Sequence, residues 1–268
     1  MFVRFLMAVA LAAAFSFGAV GAAQAAVDIG TGNTSRDWAG FAYQAGAGQS
    51  FDKVGASWTQ PAGVGTCSPA TGGIVAFAVG FDGFGNATSE QAGTALQCSP
   101  NRSLPGTPFQ YQHIAFWEMD PGRPHFIPPP MFGVNAGDEV HVTITFADGT
   151  YTFSFENGTT GQSYSTTATN PGATNSSVEL IAENPTGGMA PLANFGSVQF
   201  SHPDLHLVRA NDQGDRGHNG EHLGQFAAIT MQKADGTVQA EPHFPSFSVA
   251  SWSQLCSFLS SMRRLTSV

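Results

Sequence analysis

Four turn dipeptides, Gly137-Asp138, Asp148-Gly149, Asn157-Gly158 and Asp235-Gly236, each interrupt runs in which apolar and polar residues alternate. Turn residues of this kind accept the unusual backbone angles of tight connections, and strands joined by such short turns run antiparallel. The runs between them have a period of two, which is the pattern of strands with one buried face. Residues 139–146 and 150–155 are the clearest hairpin. Further strands are expected at 36–44, 51–60, 74–81, 87–96, 109–119, 162–167, 177–183, 195–201, 205–209, 225–232 and 247–252. Residues 26–35 show no periodicity, and the segment 121–133, with Pro128-Pro129-Pro130, reads as a loop or sheet edge because proline cannot donate to a ladder. A helical period is visible only in the 253–264 stretch. About a dozen short strands predict an all-β fold, a sandwich or barrel, and 268 residues suit one large domain of that class.

The ends of the chain are different. Residues 1–25 read as a secretory signal, with Arg4 ahead of an apolar run and Ala23-Gln24-Ala25 as the cleavage site. The expected organisation is therefore a signal at 1–25, a β domain at 26–252 and a tail of unknown role at 253–268. The expected location is extracellular, with no membrane contact after signal removal. Lys and Arg number 10 against 19 Asp and Glu, a formal charge of −9, which argues against nucleic acid as a partner. Three cysteines in an exported chain suggest one bridge. If 74–81 and 87–96 form a hairpin about Asp82-Gly83-Phe84-Gly85-Asn86, Cys67 and Cys98 meet at its open end, and Cys256 is left over.

Catalytic signatures are few. There is no Gly-x-Ser-x-Gly elbow, no Walker-type phosphate loop and no His-Glu-x-x-His. His218-Asn219-Gly220-Glu221-His222 matches an inverted zinc pattern, but that chemistry needs a helix, and Gly220 within a Gly- and Asp-rich stretch argues for a loop. No metal and no cofactor are expected. Carboxylates and amides acting on water remain. The stretch Ser177-Val178-Glu179-Leu180-Ile181-Ala182-Glu183 places two acids in an apolar strand: Val178, Leu180 and Ala182 share one face, Glu179, Ile181 and Glu183 the other. Asn184-Pro185 should end the strand just after Glu183.

Five motifs in order resemble the glutamic peptidase (eqolisin) family: Val79-Gly80-Phe81-Asp82-Gly83 with Gln91-Ala92-Gly93; Phe116-Trp117-Glu118-Met119-x-Pro121; Glu156-Asn157-x-Thr159-Thr160-Gly161-Gln162; Glu179-Leu180-Ile181-Ala182-Glu183; and Pro191-Leu192-Ala193-x-Phe195. The resemblance implies a two-sheet antiparallel β-sandwich of concanavalin A-like, jelly-roll architecture. It also implies a secreted acid endopeptidase acting on polypeptides, with Gln91 and Glu183 as a catalytic dyad. Asp82, Phe116, Glu118 and Glu179 become substrate-binding or supporting residues. Glu183 would take a proton from water as it attacks the peptide carbonyl and return it to the departing amine. Gln91 would donate to the oxyanion while its carbonyl orients the water. An ordinary glutamate titrates near about 4.3, so activity at about pH 3–5 is expected, raised if Glu118 or Asp82 lies close. A monomer is the expected assembly.

The chain departs from the family pattern in places. Ala78 stands where the family has Trp, with Phe77 one step earlier, and the spacing from Asp82-Gly83 to Gln91 is one residue shorter, so Gly93 anchors the match. Few residues separate Ala25 from Trp38, so activation by loss of a prosegment is not expected. The rival readings are a carbohydrate-binding or glycoside-hydrolysing sandwich and an inactive family member. Against a glycosidase, Glu179 and Glu183 are about 13 Å apart along a strand, too far for either glycosidase geometry.

Overall fold

The computed structural model describes residues 29–68, 72–100, 109–209, 225–244 and 246–251. The expected signal, the His218–His222 motif, Trp252, Cys256 and the 253–268 tail lie outside the described residues. Within them the chain forms strands and no helix: β1 (Ile29–Ser35), β2 (Trp38–Gln44), β3 (Gln49–Thr59), β4 (Ile74–Phe81), β5 (Ser89–Pro100), β6 (Phe109–Asp120), β7 (His125–Ile127), β8 (Glu139–Ala147), β9 (Thr150–Asn157), β10 (Gln162–Ala168), β11 (Ser177–Glu183), β12 (Ser197–Gln199), β13 (Ser201–Arg209), β14 (Gln225–Gln232), β15 (Val238–His243) and β16 (Ser248–Ser251).

Two sheets share one core. The larger runs β12-β16-β15-β14-β2-β11-β4-β5-β6-β7, with β1 added on β14; the smaller runs β10-β9-β8-β3-β13. Alternation along each strand fills the space between them. Phe41 and Tyr43 of β2, Phe77, Val79 and Phe81 of β4, and Val178, Leu180 and Ala182 of β11 face Val54 and Trp58 of β3, Val142 and Ile144 of β8, and Tyr151, Phe153 and Phe155 of β9. Burying each such side chain contributes about 1.5–3 kcal/mol, so this face pins the register: a slip of one residue would turn the apolar set to solvent.

The expected two-sheet sandwich is what forms, and most strands lie where alternation placed them. The exceptions have physical causes. Residues 26–35 lack alternation, yet β1 forms there by parallel backbone pairing with β14. The single strand expected at 195–201 is divided. β12 pairs with β16 in the larger sheet, and β13 starts at Ser201 and pairs with β3 in the smaller one. Phe200, 1% exposed and edge-on to Trp58 at 5.7 Å, sits at the crossing and anchors it in the core. β15 contains Pro242, which disfavours an interior strand; β14 pairs with β15 only at Val238 and Ala240, and Pro242 itself pairs with Val249 of β16 alone.

β4 and β5 form the expected hairpin from Ile74↔Gln97 to Phe81↔Glu90. Cys67 and Cys98 are bonded at its open end, with Cα atoms 5.5 Å apart. A bridge across 31 residues stabilises by about 3–4 kcal/mol in the chain-entropy account. Replacing both cysteines with serine is expected to lower the unfolding free energy by about that amount in denaturant titrations; an unchanged midpoint would show that the hairpin needs no staple.

Candidate active site

The site lies on the outer face of the larger sheet. Ala76, Ala78, Ala95, Phe116 and Ile181 form a separate apolar patch there, with Trp38 against it. Register places Glu179, Gly80, Gln91 and Glu118 in one row across β11, β4, β5 and β6, and Ile181, Ala78, Gly93 and Phe116 in the next. Small residues on the central strands thus make a low floor between taller walls. At Gly93 the absence of a side chain is required by close approach, since a Cβ would lie 1.9 Å from the Phe77 carbonyl oxygen. Ala78 is fully buried in this patch.

Each polar side chain is positioned by its backbone. β11 ends at Glu183, as the following Asn-Pro required. The Asn184 amide donates to the Asp37 carbonyl at 2.6 Å, and the buried Asn184 side chain donates to Ala190 O while accepting from Thr186. The end of β11 is therefore tied to the start of β2, and Glu183 pairs with Trp38. Gln91 and Glu118 are direct cross-strand partners, and Gln91 Nε2 donates to Glu118 Oε2 at 3.2 Å. Register alone puts Glu183 two rows from Gln91, yet both side chains line the same cavity, and the Gln91 amide favours the charged form of Glu183.

A cavity of about 190 Å³ opens among these groups, lined by Asp37, Trp38, Gln91, Asp120, Glu179 and Glu183 with the turn after β4. Glu179 is 3% exposed; the Gly83 amide donates to its Oε2 at 3.2 Å, while Oε1 has no partner. Glu183 is half-buried, and its Oε2 is buried and unpartnered. Burial pushes Glu183 up to about 7; Gln91 pulls it down, and Glu118, Asp37 and Asp120 push it up. Burial raises Glu118 too, with Gln91 opposing and Asp120 adding. Glu179 rises by burial to about 8 against hydrogen bonds from Ser177 and the Gly83 amide. The crowding of acids expected from the sequence is present in part: Glu118 acts on Glu183, whereas Asp82 does not.

Asp82 has another task. It is fully buried, has φ of 62°, and accepts from the Thr174, Asn175 and Ser176 amides at 2.6–2.7 Å and from both hydroxyls of Thr174 and Ser176 at 3.0 Å. These bonds hold the 174–176 segment against the turn that presents Gly83 to Glu179. Phe116 lines the floor beside Ile181 rather than the cavity itself. Sequence reasoning missed Asp37, Trp38 and Asp120 as cavity walls. The strands expected at 36–44 and 109–119 were visible, but only the folded sheet, which brings the start of one and the end of the other to one cavity, gives Asp37, Trp38 and Asp120 a role. Among the described residues no cluster of His, Cys, Asp and Glu suits a metal.

The sequence profile of the Peptidase A4 family matches residues 36–240, which spans every group described above. The chain belongs to that family. Its fold is similar to scytalido-glutamic peptidase bound to a transition state analog inhibitor, with TM-score 0.58 and 18% identity, covering 81% of this chain and 98% of that one. It is also similar to SCP-B, a member of the eqolisin family in complex with the tripeptide Ala-Ile-His, with TM-score 0.54 and 19% identity over the same shares. Identities this low speak for the fold alone. No curated protein matches the sequence. The peptidase A4 assignment makes the chain a glutamic peptidase by family and favours polypeptides over sugars as its substrates.

Proposed function

We propose that this chain is an exported endopeptidase in which Glu183 acts as general base and then general acid, and Gln91 stabilises the oxyanion. The observation that carries this reading is the convergence of the Gln91 amide and the Glu183 carboxyl at a cavity, with Glu183 Oε2 buried and unpartnered. A buried acceptor without a donor is costly, and a water between Glu183 and Gln91 would satisfy it. Attack by that water on a peptide carbonyl forms the C–O bond. Its proton moves to Glu183, negative charge gathers on the carbonyl oxygen facing the Gln91 N–H, and Glu183 then gives the proton to the amine as the C–N bond breaks.

The pH window follows from the base having to be ionised. An unshifted glutamate leads to the expectation of about pH 3–5. With burial holding Glu183 near 7, the carboxylate is only about one part in a thousand of the population at about pH 4. Hydrolysis should therefore climb with pH up to about 7. The test is the purified mature protein on denatured protein substrates from about pH 3 to 8, with chelator present and with inhibitors of two-aspartate proteases. Cleavage insensitive to both, with kcat/KM rising toward about pH 7, is the expected result. A profile already saturated at about pH 4 would remove Glu183 as a base of raised pKa, and hydrolysis of polysaccharide but not protein would overturn the assignment.

A further inference from the structure

We infer that Glu118 is a positioning residue that sets the orientation of the Gln91 amide, an inference that rests on the dyad reading above. The two residues face each other directly on β5 and β6, so the backbone ladder fixes their approach, and Gln91 Nε2 donates to Glu118 Oε2 at 3.2 Å. The terminal torsion of a glutamine is broad and roughly two-fold, so nothing intrinsic to Gln91 decides whether nitrogen or oxygen faces the cavity. An ionised carboxylate only accepts hydrogen bonds. It therefore selects the amide orientation with nitrogen toward β6. One N–H is then held by Glu118, and the other is left toward the cavity that Gln91 and Glu183 both line. That second N–H is the one an oxyanion would meet. A protonated Glu118 has a hydroxyl that can donate to Gln91 Oε1, which favours the turned amide and presents an oxygen to the oxyanion.

The groups around Glu118 support such a role. Asp120 lies two residues along the same strand and face, Glu183 acts from β11, and His125 of β7, stacked on Trp117 at 4.0 Å, acts from the other face of β6. Asp120 and Glu183 disfavour the charge, and His125 favours it. Its ionisation is thus balanced by these neighbours on both faces of β6. Two ionisations then govern the acid limb of catalysis: Glu183 must be charged to accept a proton, and Glu118 must be charged to aim the amide.

The experiment compares wild type, Glu118→Gln and Glu118→Ala with Glu183→Gln as a control, all checked by thermal melting for an intact fold. In wild type the slope of log kcat against pH is expected to approach about 2 at the acid end. In Glu118→Gln it should fall to about 1, with kcat about 10- to 100-fold lower at about pH 7 and KM nearly unchanged; the new amide offers an acceptor but cannot enforce it. Glu118→Ala should be slower still. A Glu118→Gln profile that superimposes on wild type would overturn the positioning role while leaving the dyad intact. Activity that survives in Glu183→Gln would remove the dyad itself.

Discussion

Glu183→Gln is expected to lower kcat for peptide hydrolysis by about 10³-fold or more, because a positioned proton-transfer group contributes about 10²–10⁴-fold. The substitution keeps shape and hydrogen bonding but cannot accept the water's proton. Gln91→Ala removes an oxyanion donor and should cost about 10²–10³-fold. The two losses should not add in the double variant, since the groups act on one water and one carbonyl. Both variants should fold. Glu183→Gln replaces a carboxyl whose charge burial already disfavours with a neutral amide, so its melting temperature should equal or exceed that of wild type above about pH 7. Measured turnover within about tenfold of wild type for Glu183→Gln would end the assignment.

The second large effect concerns stability. Burial holds Glu90 at about 7, Glu179 at about 8 and Glu183 at about 7. Each folded value lies above the value of an unfolded glutamate, so between about pH 4.5 and 8 the native state holds more protons than the unfolded chain. The sign is then fixed: stability is full below about 4.5 and is lost as pH rises through about 7 and 8. A tenfold change in proton affinity is about 1.4 kcal/mol, so these groups together are worth on the order of 10 kcal/mol and should lower the melting temperature by about 20 °C or more across that interval. Glu90 is the one of the three outside the cavity. It is fully buried on the face of β5 opposite Gln91; Asn170 donates to its Oε1 at 2.6 Å, Oε2 has no partner, and Asp82 and Asp120 both oppose its charge. Glu90→Gln should flatten the decline between about pH 6 and 8 in calorimetric melts taken at several pH values. A melting temperature that rises from about pH 4 to 7 would contradict the account.

Much of this was legible in the chain before folding was considered. Alternation at 177–183 separated the core face from the acid face, and Pro185 set the strand end, because both depend on backbone geometry within a few residues. The 74–96 hairpin and its bridge were legible for the same reason: turn residues and cysteines bracket it locally. The order of motifs pointed to Gln91 and Glu183. What the sequence did not reveal depends on partners far along the chain. β1 and β15 exist because neighbouring ladders recruit them, and Phe200 switches sheets because Trp58 awaits it in the core.

The same division runs through the site. Residue order was enough to say which acids share a face and which residues are candidates for the dyad. The folded sheets were needed to show that Asp82 organises a loop instead of touching the cavity, and that Asp37, Trp38 and Asp120 line it. They were needed, too, to raise Glu183 to about 7 from the ordinary glutamate value of about 4.3. Residue type sets a carboxyl's starting affinity for a proton, whereas burial and the acids brought alongside it by strand pairing exist only once the sheet has formed.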